Sequence, residues 1–206
     1  MKFVIFHGAY GSPESNWFEE LAERLEALGQ KVIIPRFPTP KNQSLNSWLS
    51  VFKEIKKDFK KNESLCFIGH SLGPLFILHI VEKFNIQLDS AIFVSPFLTK
   101  LNNQQYDLIN KTFYEEDFNF DRLKKLIPIS YTLYSDNDPY VPSEYSIEFA
   151  GKLSSSLILV KGGGHMNSEA GLNKFPLVLE LCKTRIGYTK STPIHKTSDI
   201  QKFATF

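Results

Sequence analysis

A serine hydroxyl becomes a nucleophile when a base takes its proton and an acid steadies that base. Gly69-His70-Ser71-Leu72-Gly73 offers such a serine. It follows the apolar run Leu65–Ile68 and opens a stretch, Leu72 to Phe84, that is apolar nearly all round. That context reads as a strand, a sharp turn and a buried helix, with small residues two places either side of Ser71 so that the backbones can pass. The helix N-terminus adds free N–H groups and partial positive charge beside the hydroxyl. The G-x-S-x-G pattern alone is moderately specific, and a tight turn with a plain serine cap is the competing reading. The strand–turn–helix setting favours the nucleophile.

Five histidines are candidates for the base: His7, His70, His79, His165 and His195. His165 lies in Lys161-Gly162-Gly163-Gly164-His165-Met166, just after the last strand-like run. A loop there can return over the nucleophile, and its glycines permit a close backbone approach. His79 falls mid-helix and reads as packed, and His195 falls in a polar tail. His70 adjoins the serine, points elsewhere on the turn, and is a candidate pocket residue with Tyr10 and Tyr114. The acid is Asp136 or Asp138, in a segment stiffened by Pro139 and Pro142 after the fifth run. Asp138, at the turn, is the better placed. The chain order Ser71, Asp138, His165 is then that of the α/β-hydrolases. A calcium loop over the same aspartates lacks its sixth-position glycine, where Val141 stands. For the oxyanion, the N–H of Leu72 is one donor. Ala9, in His7-Gly8-Ala9-Tyr10-Gly11 after the first run, is the other, with the Tyr10 N–H second in line. His7 is expected to order that loop.

Six short apolar runs must position these groups: Phe3–Phe6, Val32–Ile34, Leu65–Ile68, Ala91–Val94, Ile129–Tyr134 and Leu157–Val160. Their unbroken hydrophobicity predicts strands covered on both faces. Between them, helical spacing appears in Trp17-Leu21-Leu25-Leu28, after Ser12-Pro13, and in Trp48-Phe52-Ile55-Phe59. It recurs in 143–153 and 172–186. Alternating strands and helices predict a parallel sheet with helices on both sides. One long connection, 97–128, carries several aromatics and is too short for a large lid.

The chain has 206 residues, 42% hydrophobic, and a net charge of +2. One domain over 1–186 with a polar tail at 187–206 fits that length. The balanced charge gives no reason to expect nucleic acid, and no segment is long enough to span a membrane. Two cysteines within apolar runs, Cys66 and Cys182, read as buried thiols of a cytoplasmic protein. Gly162-Gly163-Gly164 is no dinucleotide fingerprint, because Asn167 takes the last glycine position. Neither a phosphate loop nor a zinc-ligand spacing is present, so no cofactor or metal is expected.

His7-Gly8, the Ser71 pentapeptide, Asp138-Pro139-Tyr140-Val141-Pro142 and Gly163-Gly164-His165 together resemble the small α/β-hydrolases of the retinoblastoma-binding protein 9 and YdeN type. Ser12-Pro13, Trp17, Glu169-Ala170-Gly171 and Phe175-Pro176 extend the likeness over about residues 2–186. The resemblance implies a minimal three-layer α/β-hydrolase fold with a six-stranded parallel sheet in the order 2-1-3-4-5-6. It also implies carboxylesterase-like activity on small or medium acyl esters, with thioester, amide or lactone cleavage as neighbouring chemistry. The family includes a protein binder, which leaves an interaction role open. Three candidate residues in hydrolase order argue for chemistry, since a binder has no need of them.

Overall fold

In the computed structural model, residues 1–115 and 117–187 are described. Six parallel strands form one sheet in the order β2-β1-β3-β4-β5-β6. They are β1 (Lys2–Phe6), β2 (Lys31–Ile33), β3 (Leu65–His70), β4 (Ser90–Val94), β5 (Ser130–Tyr134) and β6 (Ser156–Leu159). Side chains along a strand alternate between faces. In β1, Val4 and Phe6 enter one core while Phe3 and Ile5 enter the other, and β3 and β4 repeat the division. The first core is completed by α2 (Leu45–Lys56), α3 (Leu72–Phe84), α5 (Phe120–Leu126) and α6 (Ser143–Leu153). The second is completed by α1 (Phe18–Ala27) and α7 (Pro176–Ile186). These are the three layers expected. The polar tail of the sequence reading lies outside the described residues beyond Gly187.

Covered strands account for the apolar runs only in the middle of the sheet. β2 and β6 are edges, and Leu157 and Leu159 are 42% and 47% exposed. Apolar composition alone did not distinguish such an edge from an interior strand. Helix α1 begins at Phe18, later than Ser12-Pro13 suggested, because Ser12 and Ser15 instead close a turn through the Ser12 N–H and the Ser15 hydroxyl. The 97–128 connection is not featureless. It holds α5 and the short helix α4 (Gln104–Ile109), which buries none of its own side chains.

The topology fixes where a site can form. From β1 the chain crosses to β2 on one side, and from β3 it crosses to β4 on the other. Their connections diverge, so a crevice opens at the carboxyl ends of β1 and β3. The His7–Gly11 loop leaves one strand there and the Ser71 turn leaves its neighbour.

Candidate active site

Ser71 sits on the turn between β3 and α3 with φ 60° and ψ −107°, a conformation few side chains tolerate. Neighbours leave it little choice. A methyl group on Gly73 would lie 2.4 Å from the Phe6 carbonyl oxygen, and one on Gly69 would lie 2.6 Å from the Pro74 nitrogen. The Ser71 side chain makes no capping bond to α3, so the plain-cap reading fails. The side chain instead lines a cleft of about 200 Å3 at the crevice.

His165 lines the same cleft. Its Nδ1 lies 3.0 and 2.8 Å from the two carboxylate oxygens of Asp138. A carboxylate only accepts, so Nδ1 carries the proton and Nε2 is left as an acceptor. The pair is secluded, with side chains 9% and 2% exposed. Asp138 is held by more than His165. Its Oδ1 accepts the N–H groups of Tyr140 and Val141, and its Oδ2 accepts the Ser95 hydroxyl. Burial pushes the carboxyl pKa up. The hydrogen bond and charge of His165, with the two N–H groups, outweigh burial and hold it below the usual value. Asp136 is not bonded to the histidine; it accepts the Gly162 N–H at 2.7 Å. Ser71 Oγ makes no hydrogen bond to a described residue, an open geometry common before substrate arrives.

Two other side chains hold the His165 loop by its carbonyls. His70 Nε2 donates to the His165 oxygen at 2.8 Å, and Trp17 Nε1 donates to the Met166 oxygen at 2.9 Å. His70 lines the cleft, almost wholly buried, and burial and the neighbouring His165 charge lower its pKa to about 3. His7 plays the ordering part expected of it. Its Nδ1 donates to the Gly8 carbonyl and its Nε2 accepts the Phe37 N–H. Burial lowers its pKa as well.

Those bonds orient the next peptide. The Gly8 carbonyl is taken by His7 and by the Gly11 N–H, and in a trans peptide the Ala9 N–H points the opposite way. Ala9 lines the cleft beside Ser71. The Tyr10 N–H, second in line from sequence, is already given to Thr39 Oγ1 at 2.7 Å. The Leu72 N–H is in the first turn of α3, where helix donors lack intrahelical partners.

Tyr10 lines the cleft, 43% exposed. Tyr114 does not. The turn at Lys111–Phe113 inserts Phe113 into the core and carries Tyr114 inward against Phe97, with ring centroids 6.3 Å apart. Sequence reasoning missed Ser95, Tyr106, Tyr140 and Glu169, all at or near the cleft. Tyr140, within the Asp138 segment, and Glu169, within the Glu169-Ala170-Gly171 stretch, carried a local signal, and Ser95 and Tyr106 carried none. A larger groove of about 1240 Å3 opens at the opposite edge of the sheet, near Leu65, Asp89 and Ile129, and holds none of the candidate residues. Among the described residues, no His, Cys, Asp and Glu side chains cluster as metal ligands, and no helix is long and apolar enough to cross a membrane.

Comparison with known proteins bears on this geometry. A family model described as serine hydrolase matches residues 3–184. YdeN of Bacillus subtilis, described as a hydrolase, is 28% identical over 179 residues, covering 86% of this chain and 92% of its own. The crystal structure of that gene product superposes with a TM-score of 0.81 at 25% identity, over 90% of this chain and 98% of the other. Est1E from Butyrivibrio proteoclasticus, solved with ferulic acid bound, shares the fold at a TM-score of 0.67 and 17% identity, over 90% of this chain and 89% of its own.

Proposed function

The chain belongs to the serine hydrolase family, and from that premise we propose a carboxylesterase-like enzyme for small or medium acyl esters, working through Ser71, His165 and Asp138. One observation carries the reading: His165 lines the same cleft as Ser71 while Asp138 binds its Nδ1, which leaves Nε2 as the nitrogen that can accept a proton. Ser71 Oγ attacks the acyl carbonyl as its proton passes to His165 Nε2. The Leu72 and Ala9 N–H groups hold the oxygen that becomes negative. Asp138 stabilises the imidazolium, which then protonates the leaving oxygen as the ester bond breaks. Water, losing its proton to Nε2, attacks the acyl-enzyme, and Nε2 passes that proton to Ser71 Oγ as the acyl–oxygen bond breaks and the acid leaves. The cleft, about 200 Å3, suits short acyl chains. No cofactor enters these steps. We assign the protein to the cytoplasm, a reading supported by Cys66 and Cys182 as buried free thiols.

A fluorophosphonate probe and a panel of p-nitrophenyl esters test the proposal. Wild type is expected to be labelled and to favour short acyl chains. S71A is expected to lose both activities. D138N lowers kcat by about 10⁴-fold, the cost of the wrong histidine tautomer, whereas D136N stays close to wild type. Equal labelling of S71A, or loss in D136N with D138N unaffected, overturns the assignment.

A further inference from the structure

Three tyrosines from three separate segments meet in the cleft. Tyr10 follows β1, Tyr106 belongs to α4, and Tyr140 follows β5. The Tyr10 and Tyr106 ring centroids are 5.8 Å apart with planes at 83°, and those of Tyr106 and Tyr140 are 5.7 Å apart at 69°. Rings set at such angles are walls meeting at corners rather than a stack. Tyr140 also stands 5.0 Å from the His165 ring. Glu169 joins them in the cleft, its Oε2 accepting the Tyr140 hydroxyl at 2.7 Å. A phenol that donates to a carboxylate carries more electron density on its ring. The Glu169 bond, with burial, pushes the Tyr140 pKa up to about 12, and Tyr106 is raised by burial and then by the Glu169 charge. No Lys or Arg lines the cleft among the described residues, which leaves Glu169 as its one carboxylate.

We propose that this corner selects esters or thioesters whose leaving group carries a compact ammonium cation. The proposal rests on the serine hydrolase reading above and names its substrate class. Aromatic faces attract cations through their quadrupole, and a carboxylate beside them adds an opposite charge. The side of the cleft follows from the chemistry. His165 must protonate the leaving atom, so the leaving group lies against His165, and Tyr140 and Glu169 are the next groups beyond it. The acyl part then faces the apolar side chains of Phe97, Leu101 and Val141.

Two phosphonothiolates that differ only in the leaving thiol test this: thiocholine, and its uncharged isostere 3,3-dimethylbutanethiol. Each reports by inactivating Ser71, so no turnover is needed. With each rate divided by that probe's rate with hydroxide, which removes the better leaving ability of thiocholine, wild type is expected to react about tenfold faster with the cationic probe, within the range of a partly desolvated cation–π site. E169Q is expected to bring the ratio towards one, and E169K to invert it. A wild-type ratio of one or less, a ratio unchanged in E169Q, or failure of both probes on a protein that a small fluorophosphonate still labels at Ser71, overturns the proposal alone. If the fluorophosphonate also fails, the serine hydrolase reading falls with it.

Discussion

His70 lies between the rings of Trp17 and His165 and gives its only described proton donor to the His165 carbonyl. Burial there disfavours the charged ring. The consequence for stability has a definite sign. In the unfolded chain this histidine titrates near 6.5, and in the folded protein near about 3. Between those values the unfolded state binds the extra proton, so stability is full above pH 6.5 and falls as the pH drops towards about 3. The limiting slope for one such group is about 1.4 kcal/mol per pH unit. Urea unfolding at pH 7, 6 and 5 should show this decline in wild type, and H70Q should flatten it by one proton's share. An identical slope in H70Q would refute the account. None of this was legible in Gly-His-Ser-Leu-Gly, because the partner lies 95 residues away. Ser95 was hidden for the same reason: its link to Asp138 spans 43 residues with no shared pattern. Ser71 and His165 were legible because each sits in a short glycine-marked segment. Asp138 was favoured over Asp136 by its place in the turn.

Strand and helix boundaries were legible where burial on both faces enforced an unbroken apolar run, as in β1 and β3. They were less so at α4, whose side chains are not buried and therefore show no hydrophobic period. Glycines mark where elements approach too closely for a side chain, and two of them separate stability from chemistry. At Gly73 the obstacle is the Phe6 carbonyl, backbone that cannot yield. G73A should cost about 1–3 kcal/mol through overpacking, seen as a lower Tm. At Gly8 the obstacle is Ser71 itself, with Cβ at 2.8 Å and Oγ at 3.1 Å. G8A should displace the hydroxyl and slow fluorophosphonate labelling by about 10²-fold, with a smaller change in Tm than G73A. A G8A protein labelled at the wild-type rate would contradict that separation.

Across the whole molecule, the switch in strand order brings the β1 and β3 loops together, and α1 and α7 close the far face of the sheet. The Trp17 indole joins the first of these loops to the His165 loop over 149 residues of sequence. That span has a consequence in time. The proposed nucleophile follows the third strand, but its acid follows the fifth and its base the sixth. A nascent or partly refolded chain can therefore present Ser71 with no base and no acid, a hydroxyl like any other. Non-local closures of this kind come late in folding. On dilution from denaturant, labelling of Ser71 should return with the slowest phase, after helix signal has largely recovered. Labelling that keeps pace with early helix formation would show the site armed before the chain has closed. A serine so placed stays chemically silent until most of the chain exists, which spares the unfinished protein a reactive group it has no means to govern.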